Sequence, residues 1–245
     1  MKNKEKWKPT IYSVDKCGKL CVTNEFLKNG SEIVLRLQAQ VFGPLIEKYA
    51  NGKLLDLGCG DVPLYGFYKK FVTENICVDW ASTLHKNEYL DFECDITKEL
   101  PFEDASFDTI LSTQVLEHIY NPFPLFKECN RILKQGGVFI VSSNMAYWEH
   151  EQPNDYLRHT RFFYERVAKE NGFMMEEIVP IGDGLCVIAD ISQKIARFEK
   201  MGKMKLLFRL LYIFTKFLFE RYNQKMGKYI LGQEPLGYCA VLKKI

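Results

Sequence analysis

The chain has no apolar run long enough and free enough of charge to cross a bilayer. No apolar segment follows the charged start Met1-Lys-Asn-Lys-Glu-Lys-Trp-Lys either, so neither a membrane span nor a signal peptide is expected. Net charge is also nearly absent: 33 Lys/Arg against 31 Asp/Glu leave +2, which argues against a whole-molecule polyanion binder. No internal repeat and no low-complexity linker divides the 245 residues, which therefore read as one domain with decorations. The eight cysteines (17, 21, 59, 77, 94, 129, 186, 239) are scattered, most in apolar runs, which predicts free thiols in a reducing cytoplasm. Cys17-x-x-x-Cys21 is followed by no Cys or His at useful spacing, and Asn24 stands where a third cysteine would be needed, so no metal is assigned.

What is present is a hydrophobic content of 47 %, ample for a packed core. Residues 1–30 read as an N-terminal arm, with weak alternation around Cys17-Gly18-Lys19 that suits a small hairpin. Ser31 reads as a helix N-cap, and Ile33, Leu35, Leu37, Val41, Leu45 and Ile46 give a helical stripe to about Ala50. Such a helix could cover a ligand pocket or simply cap a sheet. Strands and helices then alternate: strands at 53–57, 75–79, 88–93, 107–113, 137–143, 173–180 and 237–242, and helices near 62–72, 81–86, 122–133 and 160–171. Gln135-Gly136-Gly137 reads as a tight turn into the fifth strand. The pattern predicts an α/β fold, a Rossmann-like, mostly parallel sheet with helices on both faces, spanning residues 31–245. In such sheets the ligand sits at the carboxyl ends of the central strands, where the strand order reverses.

The stretch Leu54-Leu55-Asp56-Leu57-Gly58-Cys59-Gly60-Asp61 ends a buried strand in a glycine turn. Two residues without Cβ let the backbone turn sharply and lie close to a ligand. A dinucleotide fingerprint would need a third glycine at position 63, where Pro63 stands, and Asp56 is foreign to it. Asp79 ends the second strand, nineteen residues after Gly60, where a carboxylate can accept both ribose hydroxyls of a nucleoside. Trp80 beside it can stack on a base. Asp95-Ile96 follow the third strand: the carboxylate can accept from an adenine amino group while the isoleucine backs the ring.

These blocks, with Leu100-Pro101-Phe102, Phe107-Asp108, Leu116-Glu117-His118 and Leu133-Lys134-Gln135-Gly136-Gly137, resemble in order the class I S-adenosylmethionine (SAM) dependent methyltransferases of the small-molecule type, type 11. The likeness covers about residues 50–143, with a looser echo to 180. It implies SAM as cofactor and an antiparallel last strand in a seven-stranded sheet. Carried over by position, it implies Asp56, Gly58 and Gly60 on the methionine and ribose side, Asp79 at the ribose hydroxyls, and Asp95 and Ile96 at the adenine. Thr113 and Gln114, ending the fourth strand, would face the methionine moiety and the nucleophile.

The run Asn/Asp-Pro-Pro-aromatic, usual after the fourth strand in enzymes that methylate nucleic-acid bases, is missing: Ser112-Thr113-Gln114-Val115 stands there. Nucleic acid is thus disfavoured as a partner. An oxygen of a small-molecule, sugar or lipid-linked acceptor is the favoured target, with a quinone or other lipid ring, a tRNA, or a non-catalytic SAM-binding scaffold as the alternatives. A hydroxyl nucleophile gains from a base, and His118 and His150 are the candidates. His150 lies in the loop after the fifth strand, whose Trp148, Tyr156 and Arg158 are candidate acceptor contacts.

One block remains outside the resemblance. Segment 184–230 reads as a helical, basic and aromatic insertion before the last strand. Residues 194–228 hold ten Lys/Arg against two Glu, a net of +8 that leaves −6 for the rest. Over 203–222, Lys205, Arg209, Tyr212, Lys216 and Glu220 share a narrow helical face opposite a broad aromatic one. Three readings stand: a buried helix that packs on the domain, a lid or a partner subunit; an interfacial helix that gives a cytoplasmic protein peripheral contact with the inner membrane face; and a nucleic-acid contact, for which the run is basic but too apolar.

Overall fold

The computed structural model describes residues 1–26, 32–80, 88–198, 202, 204–226 and 234–245. A small antiparallel hairpin, β1 (Tyr12–Val14) and β2 (Leu20–Val22), forms the arm. The long helix α1 (Glu32–Tyr49) follows. Its predicted N-cap Ser31, and the short helix predicted over 81–86, lie outside the described residues.

The main sheet has seven strands: β3 (Lys53–Leu57), β4 (Glu74–Asp79), β5 (Phe92–Glu93), β6 (Phe107–Thr113), β7 (Leu133–Asn144), β8 (Phe173–Ile181) and β9 (Gly237–Lys244). Their order is β5-β4-β3-β6-β7-β9-β8. The first five neighbours pair in parallel, and β9 runs antiparallel to both β7 and β8. The order reverses between β3 and β6, so a crevice opens above their carboxyl ends.

Helices α2 (Tyr65–Tyr68), α3 (Phe123–Ile132), α4 (Arg161–Glu170), α5 (Gly184–Phe198) and α6 (Met204–Met226) complete the chain. Alternation along each strand divides the core in two. Leu54, Cys77, Ile140 and Val241 bury against α1 and the α5 side, while Leu55, Val78, Phe139 and Leu242 bury against Phe126, Ile132, Tyr164 and Val167 of α3 and α4. Both faces of the sheet are covered, as a parallel sheet requires.

Several boundaries differ from the sequence reading for local reasons. The strand expected over 88–93 shrinks to two residues. Asp91 exchanges backbone bonds with Cys77 through its own N–H, and its carboxylate takes the Cys77 N–H at 2.8 Å, so a side chain fills the place of a strand partner. The helix expected over 62–72 is a single turn at Tyr65–Tyr68, because Val62 sits at φ 51° and Pro63 follows it. The turn at Gln135-Gly136-Gly137 survives as a loop-out inside β7: pairing with β6 passes from Leu133–Phe107 to Val138–Thr109, with Gly136 at φ 75°.

The largest departure concerns α6. Part of its narrow polar face turns inward, beside the part-buried Phe208, Leu211 and Leu218, and a broad apolar stripe turns outward. Tyr212, Thr215 and Lys216 face the protein, while Leu206, Leu207, Leu210, Ile213, Phe214 and Phe217 are 53–63 % exposed. The cause is one carboxylate. Glu32, 7 % exposed on α1, receives Lys216 Nζ at 2.9 and 3.0 Å and the Tyr212 hydroxyl at 3.2 Å. Gln193 of α5 donates to the same hydroxyl at 3.0 Å. The helix thus packs on the domain through Tyr212, Thr215 and Lys216, with a broad apolar stripe left on its outer side.

Candidate functional site

The glycine turn after β3 is built by backbone strain that only glycine relieves cheaply. Gly58 lies at φ 72° and Gly60 at φ 50°. A Cβ on Gly58 would stand 2.6 Å from Val115 Cγ2, so the position is closed to any side chain by packing as well as by φ. The N–H groups of Gly58 and Cys59 donate to the Val78 carbonyl at 2.8 and 3.1 Å, which seats the turn over the end of β4. There the Asp79 carboxylate accepts Gly60 N–H and Trp80 N–H, each at 2.8 Å.

Above this turn lies a cavity of about 700 Å³, within the size range of small-molecule and cofactor sites. Its lining follows the strand order. Asp95 and Ile96 come from the end of β5, Asp79 and Trp80 from β4, Gly58 and Gly60 from β3, Thr113 and Gln114 from β6, and Asn144 from β7. His118 and His150 line it on the β6–β7 side. All the predicted cofactor residues but one thus meet at one cavity.

The exception is Asp56, which does not line it. Buried behind the turn at 6 % exposure, it accepts the Tyr68 hydroxyl at 3.0 Å. Burial pushes its carboxyl up to about 7, with the Asp79 charge acting in the same direction and the Tyr68 bond opposing both. Asp56 supports the turn rather than facing the cavity. Asp95 shows the opposite environment: hydrogen bonds from Thr97, then Lys98, hold its carboxyl below the usual range even though some burial acts against them.

Leu116-Glu117-His118 forms a short 3-10 turn that ties down the loop after β7. The Glu117 carbonyl accepts Tyr156 N–H at 2.8 Å, and its buried carboxylate accepts Asn144 Nδ2 at 2.7 Å. Burial raises that carboxyl to about 7. His118 Nδ1 is 2.6 Å from the Asn154 carbonyl oxygen, which can only accept, so Nδ1 carries a ring proton, while Nε2 lies 3.8 Å from Glu151 Oε2. His118 and His150 pack edge to face at 4.8 Å. Burial, then the His118 charge, lowers the pKa of His150 against the pull of Asp155. The ligand-capable atoms of Glu117, His118 and His150 all lie within 4.8 Å of one another.

The acceptor contacts read from the loop after β7, Trp148, Tyr156 and Arg158, lie outside the cavity lining. Arg158 is turned onto Asp155 in a two-pronged pair at 2.5 and 2.7 Å, Tyr156 packs on Tyr120, and the Trp148 ring lies 4.8 Å from Lys194 Nζ. Their neighbour Tyr147 lines the cavity instead, with Gln152, Pro153 and Asn154. Of the two readings offered for the helix before β3, the cavity favours the cover: Val34, Leu35, Gln38 and Phe42 of α1 line it, with Tyr12 of the arm, which the sequence did not single out. Gln38 inside an otherwise apolar stripe was the available signal. It accepts the Tyr12 hydroxyl at 2.9 Å and so fixes the arm over the cavity.

The fold and the glycine turn define a nucleoside-binding α/β protein, with its crevice at the reversal of the sheet. Residues 55–141 match the family described as methyltransferase domain. It is 30 % identical over 112 residues to a probable S-adenosylmethionine-dependent methyltransferase of Mycolicibacterium smegmatis, covering 42 % of each chain. It is 23 % identical over 107 residues to a ubiquinone biosynthesis O-methyltransferase of Parvibaculum lavamentivorans, covering 40 % of this chain and 42 % of that one. The matched region thus spans about two fifths of the length of these curated relatives. Among solved structures, a SAM-dependent methyltransferase from Archaeoglobus fulgidus superposes with a TM-score of 0.55 at 17 % identity, over 90 % of this chain and 96 % of that one.

The residues present fit SAM. Asp79 and Asp95 offer acceptors for a ribose diol and an adenine amino group, and Trp80, 41 % exposed, offers an aromatic face. Gln114 gives the sharpest indication. Its Nε2 donates to Ser142 Oγ at 3.0 Å, while its buried Oε1, at the cavity wall, has no partner. An orphaned buried acceptor is costly, and the ammonium group of a bound methionine moiety would satisfy it.

Proposed function

We propose that this protein transfers a methyl group from SAM to an oxygen, hydroxyl or carboxyl, of a small-molecule, sugar or lipid-linked acceptor. SAM supplies an electrophilic methyl group on a positively charged sulfonium. The chain then has to hold the acceptor close and aligned. The strand order favours adenine beside Asp95 and Ile96, the ribose diol on Asp79, and the methionine end at Gly58, Gly60, Thr113 and Gln114. That leaves His118, Asn144, Tyr147 and His150 to receive the acceptor.

The observation that carries the choice of oxygen is the His118 tautomer. With Nδ1–H given to the Asn154 carbonyl, Nε2 is the basic nitrogen of a residue that lines the cavity. Such a nitrogen takes the proton of a hydroxyl as its oxygen attacks. His150 backs it: its Nδ1 lies 3.3 Å from both the Trp148 carbonyl oxygen and Asp155 Oδ2, two acceptors that favour the same tautomer. The name O-methyltransferase borne by the relative from Parvibaculum lavamentivorans supports the same reading.

The test is conversion of SAM to S-adenosylhomocysteine with a panel of hydroxyl, carboxyl and amine acceptors. Turnover with hydroxyl acceptors is expected. The variant His118→Gln should lower kcat by about 10²–10⁴-fold, the usual contribution of a general base, while homocysteine-product binding stays intact. Turnover confined to amines would refute the oxygen assignment. Cofactor binding without turnover on any acceptor would favour a scaffold.

A further inference from the structure

We infer that the outward face of α6 docks on an anionic lipid bilayer. Leu206, Leu207, Leu210, Ile213, Phe214 and Phe217 are all more than half exposed. At 3.6 residues per turn they fall within a stripe roughly 120° wide. Ile188 and Ile191 of the neighbouring α5 are exposed at 49 % and 48 %, so the apolar surface continues across both helices. A contiguous apolar patch on this scale marks an interaction surface. It is held outward by design of the helix, because Glu32 takes the polar edge through Lys216 and Tyr212.

Charge selects the occupant. Arg209 and Arg221 are exposed on α6, in a segment, 194–228, whose +8 is reduced to +6 once Lys194 and Lys216 are paired with Asp190 and Glu32 outside it. An anionic bilayer meets both properties: acyl chains take the apolar stripe and headgroups take the arginines, whose stems can reach up from the interface. A second copy meets only the first. A twofold contact sets the same patch against itself, so the basic segments would face one another. Among the described residues no helix is long and apolar enough to cross a membrane, so the helix lies in the interface rather than spanning it.

The face stands beside the cavity. Glu32, the anchor of α6, precedes Val34 and Leu35, which line the cavity from α1. On the α5 side, Lys194 Nζ sits 3.4 Å from the centre of the Tyr147 ring, and Tyr147 lines the cavity too. Docking at this face leaves the glycine turn untouched and does not depend on methyl transfer.

Flotation of the full-length chain tests this, with phosphatidylcholine vesicles alone and with phosphatidylglycerol added, at low and high salt. Sedimentation velocity without vesicles runs alongside. Wild type should float at least tenfold more on the phosphatidylglycerol vesicles, and less as salt rises. The triple variant Leu210→Gln/Phe214→Gln/Phe217→Gln should stay at the bottom while its circular-dichroism melt remains that of wild type. Arg209→Glu should weaken flotation on anionic vesicles with the apolar stripe intact. A wild type that fails to float on anionic vesicles overturns the assignment, as does flotation that survives the triple variant. A dimer that the triple variant dissociates, in a chain that does not float, would give the face to a second copy instead.

Discussion

The Asp79 carboxylate accepts the Gly60 amide at 2.8 Å across nineteen residues of chain, and its second oxygen accepts the Trp80 amide at the same distance. The residue that resembles a ribose ligand is therefore also a brace for the turn that carries the ligand.

Asp79→Ala should consequently act twice. Loss of its charge-assisted bonds lowers the stability of the ligand-free protein by about 1.5–3 kcal/mol for each bond that counts fully. It also removes the stabilisation by S-adenosylhomocysteine, which in wild type should reach about 2.7 kcal/mol at a hundredfold excess over Kd. Asp79→Asn, which keeps one acceptor, should retain more of the first effect than of the second. Thermal unfolding of the three proteins with and without ligand checks this. An unchanged ligand shift in Asp79→Ala would remove Asp79 from the site.

Gly58→Ala introduces a Cβ at φ 72° and 2.6 Å from Val115 Cγ2. The backbone cost alone is about 1–2 kcal/mol, and the overlap adds to it. The double variant Gly58→Ala/Val115→Ala should relieve the overlap and leave the backbone cost. A double-mutant cycle by urea unfolding should show favourable coupling between the two substitutions. Strict additivity would mean that the overlap relaxes elsewhere.

Lys194 and Asp190 form a 2.6 Å pair with side chains 5 % and 2 % exposed, under the ring of Tyr147. Burial raises the pKa of Asp190 and lowers that of Lys194, each against the pull of the other. Lys194→Met should destabilise by about 3–5 kcal/mol because it strands a buried carboxylate, whereas Lys194→Met/Asp190→Leu should recover most of that loss. Chemical denaturation of both decides it: a double variant no better than the single one would contradict this reading.

Asp56 gives the pH dependence a sign. Its folded carboxyl holds a proton up to about 7, against a reference value of 3.8. Its contribution to stability is thus fully present below the unfolded pKa and is lost as pH rises through the folded one. Asp56→Asn stays neutral, so the variant should gain on wild type between pH 4 and 7 by as much as about 4 kcal/mol. Urea unfolding of the ligand-free proteins at stepped pH measures the difference. A gap that does not change with pH would show that Asp56 is ionised throughout.

What was legible in the sequence was local. Gly58, Gly60 and Asp79 announce themselves because a backbone at positive φ and a strand-ending acid leave few residue choices. The alternation that gives β3, β4, β6 and β7 is likewise a property of neighbouring residues. What was not legible depends on partners far along the chain or on side-chain direction. Trp148, Tyr156 and Arg158 sit in the right loop, but a pair with Asp155 turns Arg158 away and leaves Tyr147 at the cavity. Asp56 lies one residue from Leu57 and two from Gly58, yet strand alternation sends it behind the turn. For α6 the amphipathic pattern was visible, but which face points inward is set by Glu32, 184 residues before Lys216.

Strand β9 completes the sheet between β7 and β8, and Ile181 pairs directly with Gly237. The whole excursion from 182 to 236 therefore leaves and re-enters the sheet at one rung of a hairpin. A segment closed in this way can lengthen, shorten or be exchanged with little entropic penalty at its ends. Relatives that share the glycine turn are thus free to carry different excursions here, and the place where such a protein works can change without altering what it holds.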